Sequence, residues 1–450
     1  MSKDQKKAKI AYGICLLLIL SAILFYEFQV MHSNKILPGI IISGMRSSNM
    51  EIDRCRHFLE PIYQQAMSKE IIIEGANESW SYSPQQLGLK ENSAKTIADA
   101  WSVGREGPFW RRWSMRWKAK HYGITIPLAF DLDEQVLEKE IEKMAQTINH
   151  DGENAELIIN KDHSVEIKPE KPGLQIEVEE SRNKIKEMLL SGDQNNAHLI
   201  TRIVIPPITE ETVLSWEING VVASFETFFN AAQEDRSFNI KIAAEALDQV
   251  ILMSGDVFSF NEIVGPRTTE AGYKESLVIE NNEFAPGIGG GVCQVSSTLY
   301  NVILLANLPI LERHAHSLPV SYVDPGRDAT VSYNWADLKF LNNRQKPVLL
   351  HTEYTKGKLK IFLFGTKGDY PHVGISSEIV KYLDGDEEII YDKTLKPNEV
   401  IVEKKGQKGM VVDLFREFLA PDGRVLSRER ITRDQYQAQK AVIRVPENKG

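Results

Sequence analysis

The chain has 450 residues, of which 42% are hydrophobic and 26% charged, and its formal net charge is −9. This composition excludes a disordered chain, and the length predicts two to four folded units. The acidic balance argues against wholesale nucleic-acid binding, and no nucleic-acid partner is predicted. Three cysteines, at positions 15, 55 and 293, are too few for a disulfide framework or a zinc site built on cysteine pairs.

Residues 1–33 predict a short cytoplasmic tip and a membrane anchor. Lysines dominate the first nine residues, and an uncharged, mostly apolar run follows at Ile10 to Tyr26. Its length is at the short end for a helix that spans a bilayer. The lysines before it and Glu27 after it predict a single-pass cell-membrane protein, with a cytoplasmic N-terminus and the bulk of the chain outside. A cleaved signal peptide is the alternative, although no small-residue cleavage site is evident.

Two copies of a weak pattern predict two small α+β modules, at 37–125 and 126–206. Each copy has an apolar strand, a hairpin turn, a second strand followed by Pro-x-x-x-Gly-Leu, and an amphipathic helix. The Pro-x-x-x-Gly-Leu motif lies at 84–89 in the first copy and at 169–174 in the second. Neither copy has catalytic spacing, so we interpret them as binding, spacer or packing modules.

A basic, tryptophan-rich segment lies between the copies, at residues 101–121. Trp110, Trp113 and Trp117 recur at helical spacing, with Arg111 and Arg116 among them. Beside a membrane anchor, such a segment fits a helix at the lipid headgroups or a surface for anionic wall polymers. We therefore take these five residues as candidate binding residues. The competing interpretation is that the tryptophans pack onto the neighbouring module and the charges face solvent.

The most informative stretch is Gly287-Ile-Gly-Gly-Gly-Val-Cys293, in which a lone cysteine follows four glycines. The residues from Gln294 to Leu305 predict a helix, so Cys293 lies at or near its first turn. There the exposed N–H groups and the positive end of the helix dipole favour a thiolate. Upstream, residues 254–265 predict a turn, a strand and a second turn.

Several motifs around this cysteine resemble the VanW family, which is named after an accessory protein of vancomycin-resistance clusters. In chain order they are Phe225-x-Thr-x-Phe, Asp256-x-Phe-Ser-Phe-Asn261, Gly289-Gly-Gly-Val-Cys-Gln-Val-Ser-Ser-Thr-Leu-Tyr-Asn301, Glu312-Arg-x-x-His-Ser and Gly326-Arg-Asp-Ala-Thr-Val. The resemblance implies a VanW domain at 216–368, and an anchor and peptidoglycan-binding modules before it. One departure is Ser254, which stands where proline is usual.

The last segment, 370–445, predicts a small β domain with short strands and glycine turns. Asp422-Gly423 is a strong hairpin signal. The segment resembles the five-glycine type of domain found on wall-associated proteins, and the residues that carry the resemblance are Thr394, Gly406, Gly409, Gly423 and Tyr436. This resemblance implies adhesion or glycan binding.

Cys293, His316 and Asp328 are the candidate catalytic residues. Their order resembles that of papain-like and transglutaminase-like cysteine enzymes, in which an acid orients the imidazole that pairs with a thiolate. Asp337 is the second candidate acid. The candidate oxyanion-binding groups are the side chain of Gln294 and the backbone N–H groups of Gly289, Gly290 and Gly291. Such a site would act on an acyl bond, for example an amide of a peptidoglycan peptide.

Other interpretations of these residues stay open. Cys293 can be a small packed residue beneath a glycine turn, and His316 a histidine with a purely structural hydrogen bond. Zinc binding by Cys293, His314 and His316 lacks a fourth ligand. Phosphate cradling by the glycines is disfavoured because no Gly-Lys-Ser/Thr follows them. We predict neither a cofactor nor a metal site.

The sequence thus predicts a multi-domain α+β protein with an N-terminal transmembrane helix, two α+β repeats, an α+β VanW domain and a small C-terminal β domain. Of two functions, we favour a membrane-anchored, extracytoplasmic envelope protein that binds peptidoglycan or other wall polymers. An accessory role in glycopeptide resistance is implied by the family alone. The alternative is a Cys-His-Asp hydrolase or acyltransferase that acts on peptidoglycan peptide bonds.

Overall fold

Helices and strands contribute almost equally to the computed structural model, with 31% of the residues helical and 34% in strands. The structure describes residues 3–191, 196–280, 283–333, 335–396 and 398–447. The first two residues of the predicted cytoplasmic tip lie outside this description. The prediction of a multi-domain α+β fold is confirmed.

The helices of the described residues are α1 (Lys3–Met31), α2 (Ile52–Met67), α3 (Ser93–Ser102), α4 (Phe109–Tyr122), α5 (Glu134–Ile148), α6 (Val178–Ser191), α7 (Glu210–Ser215), α8 (Glu234–Leu247), α9 (Phe260–Val264) and α10 (Val292–Leu305). Among them, α1 has the length and apolar composition of a membrane-spanning helix. Its predicted apolar run is extended at both ends, since the flanking residues remain helical.

The strands are β1 (Ile40–Ile42), β2 (Met45–Arg46), β3 (Ile71–Gly75), β4 (Glu78–Tyr82), β5 (Leu89–Glu91), β6 (Ile124–Ile126), β7 (Phe130–Leu132), β8 (Glu156–Ile159), β9 (Val165–Lys168), β10 (Gly173–Ile176), β11 (Ala197–His198), β12 (Thr201–Val204), β13 (Gly220–Phe228), β14 (Ile251–Leu252), β15 (Val257–Ser259), β16 (Glu275–Glu280), β17 (Glu283–Ile288), β18 (Ile310–Glu312), β19 (Lys339–Leu341), β20 (Val348–Thr355), β21 (Lys358–Gly365), β22 (Val373–Leu383), β23 (Glu387–Asp392), β24 (Ile401–Lys404), β25 (Gly409–Leu419), β26 (Val425–Tyr436) and β27 (Ala441–Pro446).

The chain divides into two compact units, and the first comprises Met1–Glu153 and Lys171–Pro207. Its small sheets have the orders β2-β1-β6, β11-β3-β4, β5-β7 and β10-β12. Ile71 and Ile73 of the first repeat share one core with Leu137, Ile141 and Ile185 from the region of the second. Each repeat is too small to bury its apolar face alone, so the two are completed by a common core.

The second unit comprises Asn154–Glu170 and Ile208–Gly450. An antiparallel sheet of order β13-β21-β20-β14 lies at its centre, and residues of α8 and α10 join the sheet in one apolar core. The hairpin β8–β9 belongs to this unit because Leu157 packs with Trp216, Phe362 and Phe364. This division separates the hairpin from the rest of the second repeat, and the domain boundaries drawn from the sequence remain predictions.

The C-terminal strands of the second unit form two sheets, with the orders β22-β25-β26 and β23-β27-β24. The hairpin predicted at Asp422-Gly423 joins β25 to β26, and Gly423 has the positive φ of 83° that such a turn requires. Leu414 on β25 is part of the same core as α10. These strands therefore pack directly against the element that carries Cys293.

Two local predictions need correction. The second turn predicted within 254–265 is the short helix α9, because the Ser259 hydroxyl accepts a hydrogen bond from the Glu262 N–H at 3.2 Å and so caps the helix. The helix predicted from Gln294 begins at Val292, after Gly291 with a φ of 107°. Cys293 is therefore the second residue of α10.

Candidate active site

His316 and Asp328 form a buried pair. The Nδ1 atom of His316 lies 2.6 Å from Oδ2 of Asp328, and the backbone N–H of His316 donates to the same oxygen at 2.7 Å. The other carboxylate oxygen accepts hydrogen bonds from the Tyr436 hydroxyl and, at 3.3 Å, from Nη2 of Arg313. The carboxylate is held firmly, and because Nδ1 is occupied, Nε2 of the imidazole is left for Cys293.

Cys293 lies close enough to His316 for the imidazole to affect the pKa of its thiol, and its Sγ donates to the Val331 carbonyl at 3.5 Å. Burial acts to raise the pKa of the thiol, but the interaction with His316, together with the Val331 hydrogen bond and the Arg267 charge, outweighs it, so the pKa lies below its ordinary value. For His316, burial acts to lower the pKa, but Asp328 and Cys293 raise it to about 9. Both shifts favour a thiolate–imidazolium pair near neutral pH.

The pKa of the Asp328 carboxyl is also shifted, like those of Cys293 and His316. Burial acts to raise it, but the hydrogen bond and charge of His316, followed by the charge of Arg313, lower it to about 2. Asp328 is fully buried and His316 is 6% exposed, so these interactions are weakly screened by solvent. The acid therefore stays ionised over the range in which the thiol and imidazole exchange a proton.

The glycine run before α10 is held in place by Asn239. The Asn239 side-chain N–H groups donate to the carbonyls of Lys274 at 2.9 Å and Gly290 at 3.0 Å, and its carbonyl accepts from the Lys274 N–H at 2.8 Å. A Cβ atom at Gly290 would lie 2.5 Å from the carbonyl oxygen of Leu277. Glycine is therefore required here for close packing of backbone on backbone, which sets the start of α10.

The polar face of α10 holds the segment that carries Asp328. The hydroxyl of Ser297 donates to the Cys293 carbonyl at 2.7 Å and accepts from the Ala329 N–H at 2.9 Å. The Asn301 side chain donates to the Arg327 carbonyl at 2.8 Å and accepts from the Arg327 Nε–H at 2.6 Å. The backbone on each side of Asp328 is thus fixed to the helix that presents Cys293.

Gln294, a predicted oxyanion donor, points inward. Its Nε2 atom lies 3.0 Å from both the Thr227 hydroxyl and the Phe228 carbonyl, and its Oε1 accepts from Nη2 of Arg236 at 2.8 Å. The side chain is 1% exposed. Its amide hydrogens therefore have acceptors inside the core, and they give structural support to the start of α10.

The backbone N–H of Cys293 is a different candidate for an oxyanion donor. The Gly289 N–H already donates to the Lys274 carbonyl at 3.0 Å. The Cys293 N–H, in contrast, has no acceptor among the backbone and side-chain groups of the described residues. An N–H in the first turn of a helix and adjacent to a nucleophile is well placed to stabilise an oxyanion.

Two further residues named from the sequence lie outside the Cys–His–Asp line. His314 lies 3.2 Å from Glu312 and packs edge-on against Trp335, so it does not converge on Cys293 together with His316. Asp337 accepts from the Ser259 hydroxyl at 2.5 Å and from the Asn261 N–H at 2.9 Å. Within the described residues no cluster of histidine, cysteine and acidic side chains is suited to hold a metal ion.

Sequence reasoning missed three groups around Cys293. Burial lowers the pKa values of Arg236 and Arg267, and the charge of Cys293 opposes this shift in both. The pKa of Tyr322 lies well above its ordinary value, first through burial and then through the Cys293 charge. These residues come from widely separated parts of the chain, and no local spacing pattern marks them.

In the first unit, the tryptophan-rich segment is the helix α4. Arg116 is buried, and its guanidinium forms two hydrogen bonds to the Glu27 carboxylate at 2.7 and 3.1 Å, so it is not free to bind an external anion. Trp113 packs against Tyr26 with ring centroids 5.6 Å apart. Trp110 and Trp117 are 74% and 57% exposed, and Arg111 is also exposed. One side of α4 therefore packs on the end of α1, and the other presents aromatic side chains outward.

Two parts of the chain match models of known families. Residues 235–364 match the model described as VanW like protein, and residues 80–198 match a model of a peptidoglycan binding domain. These matches confirm the predicted likeness to the VanW family and to peptidoglycan-binding domains, and they support a cell-wall-associated, VanW-like function.

Two curated relatives support the same conclusion. The uncharacterized protein YoaR of Bacillus subtilis (strain 168) is 38% identical over 162 residues, which are 36% of this chain and 54% of YoaR. The Vancomycin B-type resistance protein VanW of Enterococcus faecalis (strain ATCC 700802 / V583) is 36% identical over 144 residues, which are 30% of this chain and 52% of that protein. The chain thus spans about half the length of the curated relatives it matches.

Among solved structures, two G5 domains are similar to parts of the chain. The HP0197-G5 structure is 20% identical, with a TM-score of 0.12, and covers 16% of this chain and 96% of its own. The IgA1 protease G5 domain is 22% identical, with a TM-score of 0.13, and covers 18% of this chain and 98% of its own.

Proposed function

We propose that the VanW-like region is a cysteine-dependent hydrolase or acyltransferase that acts on peptide bonds of peptidoglycan. The observation that carries the proposal is the buried, hydrogen-bonded His316–Asp328 pair next to Cys293 at the start of α10, with a pKa of the thiol that His316 lowers. A cysteine that only filled space would need neither an imidazole partner nor a buried acid behind it. The peptidoglycan-binding-type match supports the class of substrate.

The geometry supports a two-step acyl transfer. The Cys293 thiolate attacks the carbonyl carbon, and the Cys293 N–H and the helix N-terminus stabilise the oxyanion of the tetrahedral intermediate. His316 donates its proton to the leaving amine, which departs and leaves a thioester on Cys293. His316 then removes a proton from water or from an acceptor amine, whose attack on the thioester releases the acyl group. Asp328 orients His316 throughout and keeps its negative charge.

Incubation of the full chain with purified peptidoglycan tests the proposal. We expect new free amino groups or altered cross-links with the wild type, and an acyl adduct on Cys293 in mass spectra of trapped protein. Cys293→Ala should remove both signals. Cys55→Ala is the matched control, since Cys55 is buried in the first unit. Equal product formation by Cys293→Ala and the wild type would refute the role of the thiol, as would the absence of both product and adduct.

We further propose that the protein is anchored in the cell membrane by α1, with its N-terminus in the cytoplasm, and that α4 lies in the headgroup region. The Glu27–Arg116 pair supports this placement because it joins α4 to the end of α1, beside the exposed Trp110 and Trp117. Brominated lipids in reconstituted vesicles should quench the fluorescence of the wild type more than that of Trp110→Phe/Trp117→Phe. Identical quenching would place these side chains away from lipid.

Binding of wall polymers is the other proposed activity, and it rests on the match of residues 80–198. Sedimentation of the Cys293→Ala full chain with purified wall tests it without turnover. Soluble peptidoglycan fragments should compete if peptidoglycan is the ligand, and teichoic acid should compete if anionic polymers are. An accessory role in glycopeptide resistance is proposed from the likeness to the Enterococcus protein, and unchanged glycopeptide sensitivity after deletion would contradict it.

A further inference from the structure

Arg267 lies beside the start of α10 with part of its guanidinium unused. The side chain packs against the glycine run, since a Cβ atom at Gly289 would lie 3.0 Å from the Arg267 Cβ. Its Nη1 donates to the Asn261 side-chain oxygen at 2.6 Å, and its guanidinium carbon lies 5.4 Å from the Phe260 ring centre. Its Nε and Nη2 atoms are buried and have no acceptor among the described residues. The group is therefore fixed in place with two donors unoccupied.

Arg267 differs in this respect from the other arginines of the described chain. Five others have a buried Nε without an acceptor, but Arg267 also has a buried Nη2 without one. The adjacent Nε and Nη2 donors form the fork that matches the two oxygens of a carboxylate. A buried donor without a partner is destabilising, so two on one side chain are unexpected for a purely structural arginine.

Tyr273 gives a second, independent observation. It is 3% exposed, and its hydroxyl has no hydrogen-bond partner among the described residues. Burial raises the pKa of this hydroxyl, and the charge of Arg267 opposes that shift, so the two side chains are electrostatic neighbours. A buried hydroxyl is normally paired, and this one has no partner in the described part of the chain.

The anionic side chains nearby are already occupied. Asp337 is close enough to affect the pKa of Arg267, but its oxygens accept from Ser259, Asn261 and the Leu338 N–H at 2.5 to 2.9 Å. Glu312 is paired with Lys339 at 2.9 Å. Glu262 is exposed, so its repulsion of an anion is screened by solvent.

Asn261, which accepts a hydrogen bond from Arg267, lines an open cavity of about 310 Å³. Tyr333, Trp335 and Asp337 also line it. The irregular segment that leads into this wall includes Val331, whose carbonyl lies 3.5 Å from the Cys293 Sγ. A volume of this size is at the lower end for small-ligand sites and suits the end of a peptide.

We propose that Arg267 and Tyr273 bind a free carboxylate of the peptide whose bond Cys293 attacks. The substrate class is then a peptide with a free carboxyl end close to the scissile bond, and not an internal bond of a long chain. The carboxylate would accept from Nε and Nη2 of Arg267 and from the Tyr273 hydroxyl. This inference rests on the proposed acyl-transfer function and specifies its substrate.

Binding to the full-length Cys293→Ala protein separates this inference from catalysis. The probes are N-acetyl-alanyl-alanine, the same dipeptide as its C-terminal amide, and glycerol 3-phosphate, with affinity measured by calorimetry. The acid should bind at least about tenfold more tightly than the amide, as expected for charge-assisted hydrogen bonds. Arg267→Gln should abolish this preference, and Tyr273→Phe should reduce it several-fold. Arg424→Gln, which removes an exposed charge in a hairpin turn, should leave it unchanged.

Several outcomes would overturn the inference. Equal binding of acid and amide, or no binding of either, would exclude a carboxylate site. Tighter binding of glycerol 3-phosphate than of the dipeptide acid would identify a phosphate site instead. If the wild type is active and Arg267→Gln lowers kcat equally for acid and amide substrates, then Arg267 stabilises the transition state and not a substrate carboxylate. If acid selectivity is retained but the wild type has no turnover, the proposed function fails and the carboxylate site stands.

Discussion

At the residue scale, Asp328 is the most heavily constrained group of the site. It accepts hydrogen bonds from the backbone and the ring of His316, from Tyr436 and from Arg313. Removal of one partner from a buried charged network leaves the others uncompensated. Asp328 therefore contributes to stability as well as to the orientation of His316.

The pKa of Asp328 predicts a stability change at acid pH. Because the folded-state pKa of about 2 is depressed below the ordinary value of 3.8, the stabilisation is present above pH 3.8 and is lost as pH falls through about 2. It should amount to on the order of 2 kcal/mol of the free energy of unfolding. Urea titrations between pH 2 and 6 should show this acid-dependent loss in the wild type and lose it in Asp328→Asn.

Asp324→Asn is the control for that titration, since the Asp324 side chain is 75% exposed. It should follow the wild-type pH profile. If the profile of Asp328→Asn also runs parallel to the wild type from pH 2 to 6, then Asp328 does not carry the depressed pKa.

At the element scale, the start of α10 depends on Gly291, whose surroundings differ from those of Gly255, a glycine that precedes β15. Gly291 has a φ of 107°, and a Cβ atom there would lie 3.0 Å from the Arg236 carbonyl oxygen. Gly255 has a similar φ of 86° with nothing within 4 Å of the added atom. Alanine at either position is strained by the left-handed backbone conformation. Only in Gly291→Ala would the new Cβ atom also be crowded by neighbouring atoms.

We expect Gly255→Ala to lower the free energy of unfolding by about 1 kcal/mol. For Gly291→Ala, overpacking adds about 1–3 kcal/mol to that strain. The displaced helix start should also slow alkylation of Cys293. Chemical denaturation of both variants measures the difference, and an equal loss of stability would show that α10 tolerates a shift at its N-terminus.

The contact between α1 and α4 leads to a second prediction at this scale. Glu27 and Arg116 are 7% and 8% exposed, so their bidentate pair is poorly screened. Glu27→Gln leaves the buried Arg116 charge without its partner and should destabilise the first unit by about 3–5 kcal/mol. Arg116→Met should cost less, because Arg112 still lies 3.4 Å from the Glu27 carboxylate. The double variant should be more stable than the sum of the two losses predicts. Thermal unfolding in detergent of the wild type, the two single variants and the double variant measures these losses of stability. If the two single losses simply add in the double variant, Glu27 and Arg116 are not coupled.

At the scale of the whole molecule, the C-terminal strands take part in the site. The Tyr436 hydroxyl, at the end of β26, donates to Asp328 and accepts from the Gly326 N–H at 2.6 Å. Arg313 joins the same region to Asp434 at 2.7 Å. These contacts make the strands after residue 370 a support for Asp328, the acid that we propose orients His316, in addition to any adhesive role implied by their resemblance.

Tyr436→Phe should therefore destabilise the region around Asp328, although the two residues are more than 100 positions apart in the chain. Loss of the donor raises the pKa of Asp328, since the Tyr436 hydrogen bond is one of the causes that lower it. We expect a loss of about 1–3 kcal/mol in the free energy of unfolding, with slower Cys293 alkylation. Tyr391→Phe, at a 66% exposed position, is the control. An unchanged alkylation rate would mean that Asp328 needs no support from β26.

Local patterns predicted much of this architecture. The helix predicted from Gln294 to Leu305 is α10 at Val292–Leu305, because its apolar periodicity is a property of neighbouring residues. Cys293, His316 and Asp328 could be proposed as a triad because all three lie in motifs that resemble the VanW family. The inward orientation of Gln294 could not be predicted, since the acceptors of its amide lie on β13, and the pairing of α10 with β13 is a long-range contact.

The same limit applies to the groups that complete the site. Arg267, Tyr273, Tyr322 and Tyr436 reach the site only through tertiary packing, and an isolated arginine or tyrosine carries no spacing signal. The transfer of the β8–β9 hairpin into the second unit also follows from a long-range core around Trp216 and Phe362. Sequence periodicity specifies which face of a hairpin is apolar, but not which core receives it.

The most direct test of the central claim is the pH dependence of Cys293 alkylation by iodoacetamide, in a Cys15→Ala/Cys55→Ala background. The wild-type rate should show an inflection below the value of about 8.5 for an ordinary thiol. His316→Ala should move the inflection upward, because only the smaller effects of the Val331 hydrogen bond and the Arg267 charge then oppose the rise in the pKa of the thiol that burial causes. A wild-type inflection at or above about 8.5, or one that His316→Ala leaves in place, would contradict a thiolate activated by His316.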